Sequence, residues 1–210
     1  MRTFIYTGGV IHPELIAERP DKGDLCIAAD GGYRNAQAMG SRVDVLIGDL
    51  DSLGGRPPEG AAGVELLRLP VEKDCTDTQA AVSLALERGA DGIVFVGSLG
   101  GRLDHALSTL SVLEDLWERG IPAVITDGQN RARFLCSDTA SIPRSEFTYL
   151  SVVAADREVA GVTVTGCKYP LRDATLSRRV QFAVSNEIEQ DRATVSVRCG
   201  GVYIIESRDL

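Results

Sequence analysis

The sequence predicts an α/β chain: a mostly parallel N-terminal sheet covered by helices, followed by a C-terminal antiparallel β-sandwich. Three observations lead there. In the first part, unbroken apolar runs such as Ile93-Val94-Phe95-Val96 alternate with helical patterns, and runs without alternation suit strands buried on both faces. In the last third, apolar and polar residues alternate with period two, as in Val159–Val164 and Ala193–Val197, which suits antiparallel strands with one wet face. Charge divides in the same place. Residues 1–126 carry 11 basic and 19 acidic side chains and residues 127–210 carry 11 of each, so the whole net charge of −8 lies in the first part. A boundary is expected around Asp127–Ser145, giving an α/β domain over 1–130 and a β domain over 131–210.

The elements follow in order. Strands are expected at Phe4–Tyr6, Leu25–Ala29, Val43–Ile47, Ile93–Val96 and Ala123–Ile125, with a weaker one at Val64–Leu69. Thr78–Arg88 sets Val82, Leu84 and Leu86 among alanines and stops at Gly89, as helices do at a C-terminal glycine. Leu103–Arg119 repeats leucines and Trp117 at helical spacing and stops at Gly120. His12, before Pro13, opens a short helical start. In the β domain, Val159–Val164, Val180–Val184, Ala193–Val197 and Val202–Ile205 are each expected to be a strand.

Composition removes several function classes. A surplus of acidic over basic residues, 30 against 22, argues against nucleic acid as a partner. Apolar runs of four to six residues fall well short of the ~20 that a membrane span needs. Five scattered cysteines without a CxxC pair fit neither structural zinc nor a disulfide framework, and point to a reducing cytoplasm.

The chemistry is expected at the strand ends. Leu25–Ala29 runs into Asp30-Gly31-Gly32, Val43–Ile47 into Gly48-Asp49-Leu50-Asp51-Ser52, and Leu69-Pro70 leads to Lys73-Asp74-Cys75-Thr76-Asp77 before a helix. Ile93–Val96 runs into Gly97-Ser98-Leu99-Gly100-Gly101-Arg102-Leu103-Asp104-His105, also before a helix. Ligands of open α/β sheets bind outside the carboxyl ends of the strands. Each segment also has a plain structural reading. Asp-Gly-Gly makes a turn, Asp74 and Asp77 cap a helix, and Asp49 and Asp51 sit in a solvated loop. If that loop is extended, the two carboxylates share one side across Leu50. His105 packs at a helix start, and Trp117 falls on the leucine stripe. Together the clusters say more: five aspartates on one rim suit a hard cation such as Mg²⁺, and Lys73, Arg102 and the glycines suit phosphate oxygens. That combination indicates metal-assisted phosphoryl-type transfer or hydrolysis, which the residues alone do not separate.

These segments, with Gly166-Cys167-Lys168-Tyr169-Pro170-Leu171 and Ser185-Asn186-Glu187, stand in the order and spacing of thiamine pyrophosphokinases, and the chain resembles that family over essentially its whole length. The resemblance implies transfer of the terminal pyrophosphoryl group of ATP to the hydroxyethyl oxygen of thiamine with Mg²⁺, giving thiamine diphosphate and AMP. It implies a homodimer with sites at the subunit interface. It places Asp49, Asp51 and Asp77 as metal-binding and catalytic residues, and Asp30, Lys73, Asp74, Thr76, Gly100, Arg102, Asp104 and His105 at ATP. Tyr169, Ser185 and Asn186 fall near thiamine. Some relatives stack thiamine on a tryptophan of the β domain. This domain has none, so Tyr169 or an aliphatic surface substitutes. The alternatives are a related phosphotransferase or pyrophosphohydrolase with another acceptor, and a thiamine sensor without turnover.

Overall fold

The apolar runs of the first part form parallel strands: β1 (Arg2–Tyr6), β2 (Leu25–Ala29), β3 (Val45–Gly48), β4 (Glu65–Arg68), β5 (Gly92–Val96) and β6 (Ala123–Thr126). The computed structural model describes residues 1–50, 63–70 and 74–210, and the chain divides into two compact units, Met1–Gly128 and Gln129–Leu210. In the first unit the strands lie in the order β4-β3-β2-β1-β5-β6, every pair parallel and with Ile5 level with both Ile27 and Phe95. The chain fills one side of β1 and then crosses to β5 on the other. β1 and β5 therefore flank the switch point where such sheets bind ligands.

Among the described residues three α-helices cover this sheet. α1 (Gly32–Ala38), short and unanticipated, packs Tyr33, Ala36 and Met39 into one cluster with Phe4, Tyr6, Cys26, Ala28 and Leu46. Alternate residues Ile5, Ile27 and Val45 are equally buried, and α2 (Asp77–Glu87) packs on those same strands. Burial on both faces explains why the runs are continuous. α3 (Leu103–Glu118) lies against β6. The expected helix stops hold: Gly89 and Gly120 follow the C-caps at φ 81° and 71°, a region glycine enters without a Cβ penalty. His12 precedes a single 3₁₀ turn, Pro13–Leu15.

The second unit is the expected sandwich. β7 (Asn130–Cys136), β9 (Tyr149–Ala154) and β13 (Gly201–Ser207) form one antiparallel sheet, in the order β7-β13-β9. β8 (Thr139–Pro143), β10 (Glu158–Thr165), β11 (Leu171–Ser177) and β12 (Arg192–Ser196) form the other, in the order β11-β10-β12-β8. Alternation is plain in β9, where Leu150, Val152 and Ala154 are buried and Tyr149, Ser151 and Val153 half-buried. The strand expected at Val180–Val184 does not form. Val180 makes only an isolated bridge to Ser177, and Val180, Phe182 and Val184 are 62%, 53% and 45% exposed. Here period-two alternation marks an apolar surface patch: β9 bonds to Ala183 and bridges to Asn186 beside it, and no continuous ladder forms. No helix among the described residues is long and apolar enough to cross a membrane.

Candidate active site

Three of the six left-handed non-glycine residues among the described residues stand where strands of the first unit end. Asp30 after β2 has φ 44°, Leu50 after β3 has φ 65° and Ser98 after β5 has φ 64°. Non-glycine residues enter this region at a cost of order 1–3 kcal/mol and do so chiefly at functional sites. Leu50 corrects the extended geometry expected around it. Its turn buries the leucine side chain, 1% exposed, in the core cluster and leaves Asp49 at the rim. Asp51 and Lys73 lie outside the described residues.

The turns surround a cleft of about 530 Å³ lined at the end of β1 by Thr7, Gly8 and Gly9, with Asp30, Asp49 and Asp77 among its other walls. That volume is within the range of small-molecule sites. One carboxylate oxygen from each of Asp30, Asp49 and Asp77 lies within 4.8 Å of the others. Asp30 was expected at the nucleotide rather than in this trio. Gly48 brings it in: a Cβ on Gly48 would sit 3.1 Å from the Cβ of Asp30, and Asp30 N–H donates to the Ile47 carbonyl at 2.8 Å. Asp30 Oδ1 is buried with no hydrogen-bond partner among the described residues. An oxygen-only set with a buried, unpaired carboxylate oxygen fits a hard divalent cation.

The remaining expected nucleotide residues divide. Gly100, Arg102, His105 and Thr76 line the cleft. Thr76 is also the N-cap of α2: its hydroxyl accepts from Gln79 N–H at 3.2 Å while Gln79 Oε1 accepts from Thr76 N–H at 3.0 Å, the reciprocal capping box. The cap sets Asp77 in the first helical turn. Asp74 lines the neighbouring groove between α2 and α3 instead. Asp104 is spent on Arg102, through hydrogen bonds of 3.2 and 2.6 Å. That pairing holds the Asp104 carboxyl below the ordinary carboxylate range and raises Arg102. Both are exposed, so the pair can part at small cost when a phosphate competes for the guanidinium.

In the second unit, Tyr169 and Asn186 line an apolar depression with Leu150, Val152, Leu171 and Phe182. Its volume is about 80 Å³, well below the ~300 Å³ of ordinary ligand pockets. Asn186 does not point its amide outward. Oδ1 accepts from the N–H groups of Tyr169 and Glu187 at 3.0 and 2.9 Å, and Nδ2 donates to the Tyr169 carbonyl at 2.7 Å. Ser185 takes φ 56° beside it, its N–H donating to Ser151 Oγ. Lys168 Nζ sits 5.7 Å from the centre of the Tyr169 ring and 2.9 Å from Glu187 Oε1.

Sequence reasoning missed the Thr7–Gly9 wall, which carries neither a charge nor a motif, and gave Ser98 no role of its own within the Gly97–His105 segment.

Two family models match the chain. Residues 17–125 match the family model described as thiamin pyrophosphokinase, catalytic domain, and residues 139–202 match thiamin pyrophosphokinase, vitamin B1 binding domain. The chain is 29% identical to thiamine pyrophosphokinase of Bacillus subtilis, over 90% of each protein. The crystal structure of the Bacillus subtilis thiamine pyrophosphokinase superposes with a TM-score of 0.89 at 28% identity, covering all of both chains. That of the thiamin pyrophosphokinase from Geobacillus thermodenitrificans gives 0.85 at 28% identity, over 100% of this chain and 98% of the other. With the catalytic-domain match spanning more than half of the residues and the cleft lying inside that unit, the chain belongs to the thiamin pyrophosphokinase family.

Proposed function

We propose that this enzyme transfers the terminal pyrophosphoryl group of ATP to the hydroxyethyl oxygen of thiamine, releasing AMP and thiamine diphosphate. The observation that carries the reading is the convergence of Asp30, Asp49 and Asp77 in one cleft, in a chain of this family. Those carboxylates would hold Mg²⁺, which when bound neutralises charge on the polyphosphate. Asp51, beside Asp49 in sequence, and Lys73, beside Asp74, belong to the same proposed set. Arg102, released from Asp104, places its guanidinium on phosphate oxygens, where a planar donor pair is well suited. His105 and Gly100 bound the nucleotide from the α3 side. Attack at the β-phosphorus is in line, and the protein supplies position and charge rather than a covalent intermediate. Asp49 or Asp77 takes the hydroxyl proton. Asn186 acts as a positioning residue: with both polar atoms spent on backbone, it holds Tyr169 toward the acceptor.

We assign the working form as a homodimer. The depression beside Tyr169 is too small to enclose a two-ring acceptor, and Tyr169, Phe182 and Val184 around it are exposed; a second subunit would complete the site. Five free cysteines, two of them exposed, fit a reducing cytoplasm.

The test is product analysis with ATP, Mg²⁺ and thiamine. AMP and thiamine diphosphate appearing together, only when both substrates are present, is the expected result. ADP with thiamine monophosphate would move the bond attacked, and thiamine binding without turnover would make the protein a sensor; either outcome defeats the proposal. Asp49→Asn should lower turnover at least 100-fold, the scale on which positioned charge acts in catalysis.

A further inference from the structure

The loop that follows β1 has an unusual hydrogen-bond balance. Asn35, on the first helix, donates from Nδ2 to the Thr7 carbonyl at 2.7 Å and to the Gly9 carbonyl at 3.1 Å. The Gly8 carbonyl accepts from Ser98 N–H at 3.0 Å. The Thr7 side chain is fixed as well, Ser98 Oγ donating to Thr7 Oγ1 at 2.7 Å. Three consecutive carbonyls are thus turned into the protein. A trans peptide points its N–H opposite to its C=O, so fixing the carbonyls of Thr7 and Gly8 fixes the N–H groups of Gly8 and Gly9 on the other side. Among the described residues those two N–H groups have no partner, and both glycines are exposed in the cleft wall.

Glycine is needed on both sides of this arrangement. Gly9 is at φ 103°, and a Cβ there would run into the Gly100 carbonyl oxygen. A Cβ on Gly97 would meet the Thr7 carbonyl oxygen at 2.7 Å. The β1 and β5 loops therefore touch backbone to backbone at the switch point, leaving donors rather than acceptors open. Successive outward N–H groups form an anion-binding concavity.

We infer that Gly8 and Gly9 N–H bind phosphate oxygens of the nucleotide and that Asn35 is the positioning residue that aims them. The inference rests on the nucleotide reading of the cleft. It adds a wall that begins before residue 17, where the catalytic-domain match starts, and it assigns a chemical class, polyphosphate, to that wall.

The test uses Gly8→Ala, Asn35→Ala and the isosteric Asn35→Asp in the full-length protein. A Cβ on Gly8 meets nothing within 4 Å, so Gly8→Ala should fold normally while blocking close approach of an anion to the backbone. Binding of α,β-methylene ATP with Mg²⁺ is measured by calorimetry, and inorganic tripolyphosphate is measured as its competitor. A charged hydrogen bond contributes about 1.5–3 kcal/mol, or roughly 10- to 150-fold. Gly8→Ala should weaken both probes by at least tenfold, with thiamine binding and thermal midpoint unchanged. Asn35→Asp, which keeps the shape, loses the donor and sets a negative charge against the Thr7 and Gly9 carbonyls, should weaken both at least as much as Asn35→Ala. Undiminished binding to Gly8→Ala overturns the inference. So does a loss confined to the nucleotide, which would place the nucleoside at the loop, and so does failure of tripolyphosphate to compete on the unmodified protein. Asn35→Asp binding like the unmodified protein would reduce Asn35 to packing and remove its role. If the unmodified enzyme forms thiamine diphosphate yet Gly8→Ala binds normally, this inference fails and the proposed function stands.

Discussion

Gly32→Ala is a strict test of how the cleft is built. Gly32 is the first residue of α1, and a Cβ placed there would lie 2.0 Å from the Tyr6 carbonyl oxygen, 2.4 Å from its carbon and 2.7 Å from Thr7 N. All three atoms belong to the backbone of the central strand or the loop leaving it, which is paired on both sides and has little freedom to retreat. To restore even a tight contact of about 3.0 Å, helix and strand must separate by at least ~1 Å, and overpacking on this scale typically costs ~1–3 kcal/mol or more. The opposing gain is small, since Ala exceeds Gly by at most ~1 kcal/mol in a helix interior and by less at its first residue. The steric term wins, and the thermal midpoint should fall by roughly 3–8 °C. The same shift pulls on Asp30, two residues upstream, and on the two hydrogen bonds of Asn35, so Mg²⁺–ATP affinity should fall more than thiamine affinity. Gly23→Ala is the control: its Cβ meets nothing within 4 Å, and it should be neutral. Differential scanning calorimetry of both variants decides the matter. A Gly32→Ala protein as stable as Gly23→Ala would mean that α1 is not seated on β1 by this contact.

Two further predictions follow from tyrosine and cysteine side chains. Burial pushes the Tyr6 phenol up to about 12 and the Cys26 thiol up to about 11, only partly offset by Ser41 at Tyr6 and Arg42 near both. Both groups are held neutral in the fold and titrate at ordinary values, 10.0 and 9.0, once unfolded. Their share of stability is therefore intact below about pH 9 and lost as pH rises through 9–12, by ~1.4 kcal/mol per pH unit per group. Urea unfolding across that range should show the decline, and Tyr6→Phe should flatten its upper half; an unchanged slope would refute the assignment. Cysteine labelling separates the thiols: exposed Cys75 and Cys199 should react before buried Cys26 and Cys167. Because Cys75 lines the cleft, saturating Mg²⁺–ATP should slow Cys75 alone, and a Cys75 rate indifferent to nucleotide would take it out of the nucleotide site.

What was legible in the sequence is what short-range physics decides. Unbroken apolar runs marked β1–β3, β5 and β6 because burial on both faces disfavours polar residues, and Gly89 and Gly120 marked two helix ends because a left-handed residue is needed there. α1 was not legible. Its seven residues, Gly32–Ala38, open with a glycine and carry no clear stripe, and the helix is held by packing on β1 and β2. The alternation of Val180, Phe182 and Val184 misled because period two reports only which residues share a side, not whether a continuous ladder forms beside them.

The site shows the same boundary more sharply. Aspartates at strand ends could be read from sequence, since the parallel sheet puts those ends on one rim. Which of them meet could not, because Asp30 reaches Asp49 and Asp77 only through the missing side chain of Gly48 and the left-handed turn at Leu50. Arg102 and Asp104 were both read as ligand contacts, and they are also each other's partner, two residues apart on an exposed helix start. The Thr7–Gly9 wall was invisible for a related reason. Its donors are backbone groups that every residue carries, and what makes them available is contact with Asn35 and Ser98, 28 and 91 residues along the chain. A nucleotide site made of carboxylates announces itself by composition. One made of amides, with the carbonyls turned away, is a property of the fold, and Asn35→Ala and Gly8→Ala distinguish the two contributions because neither changes the carboxylate set.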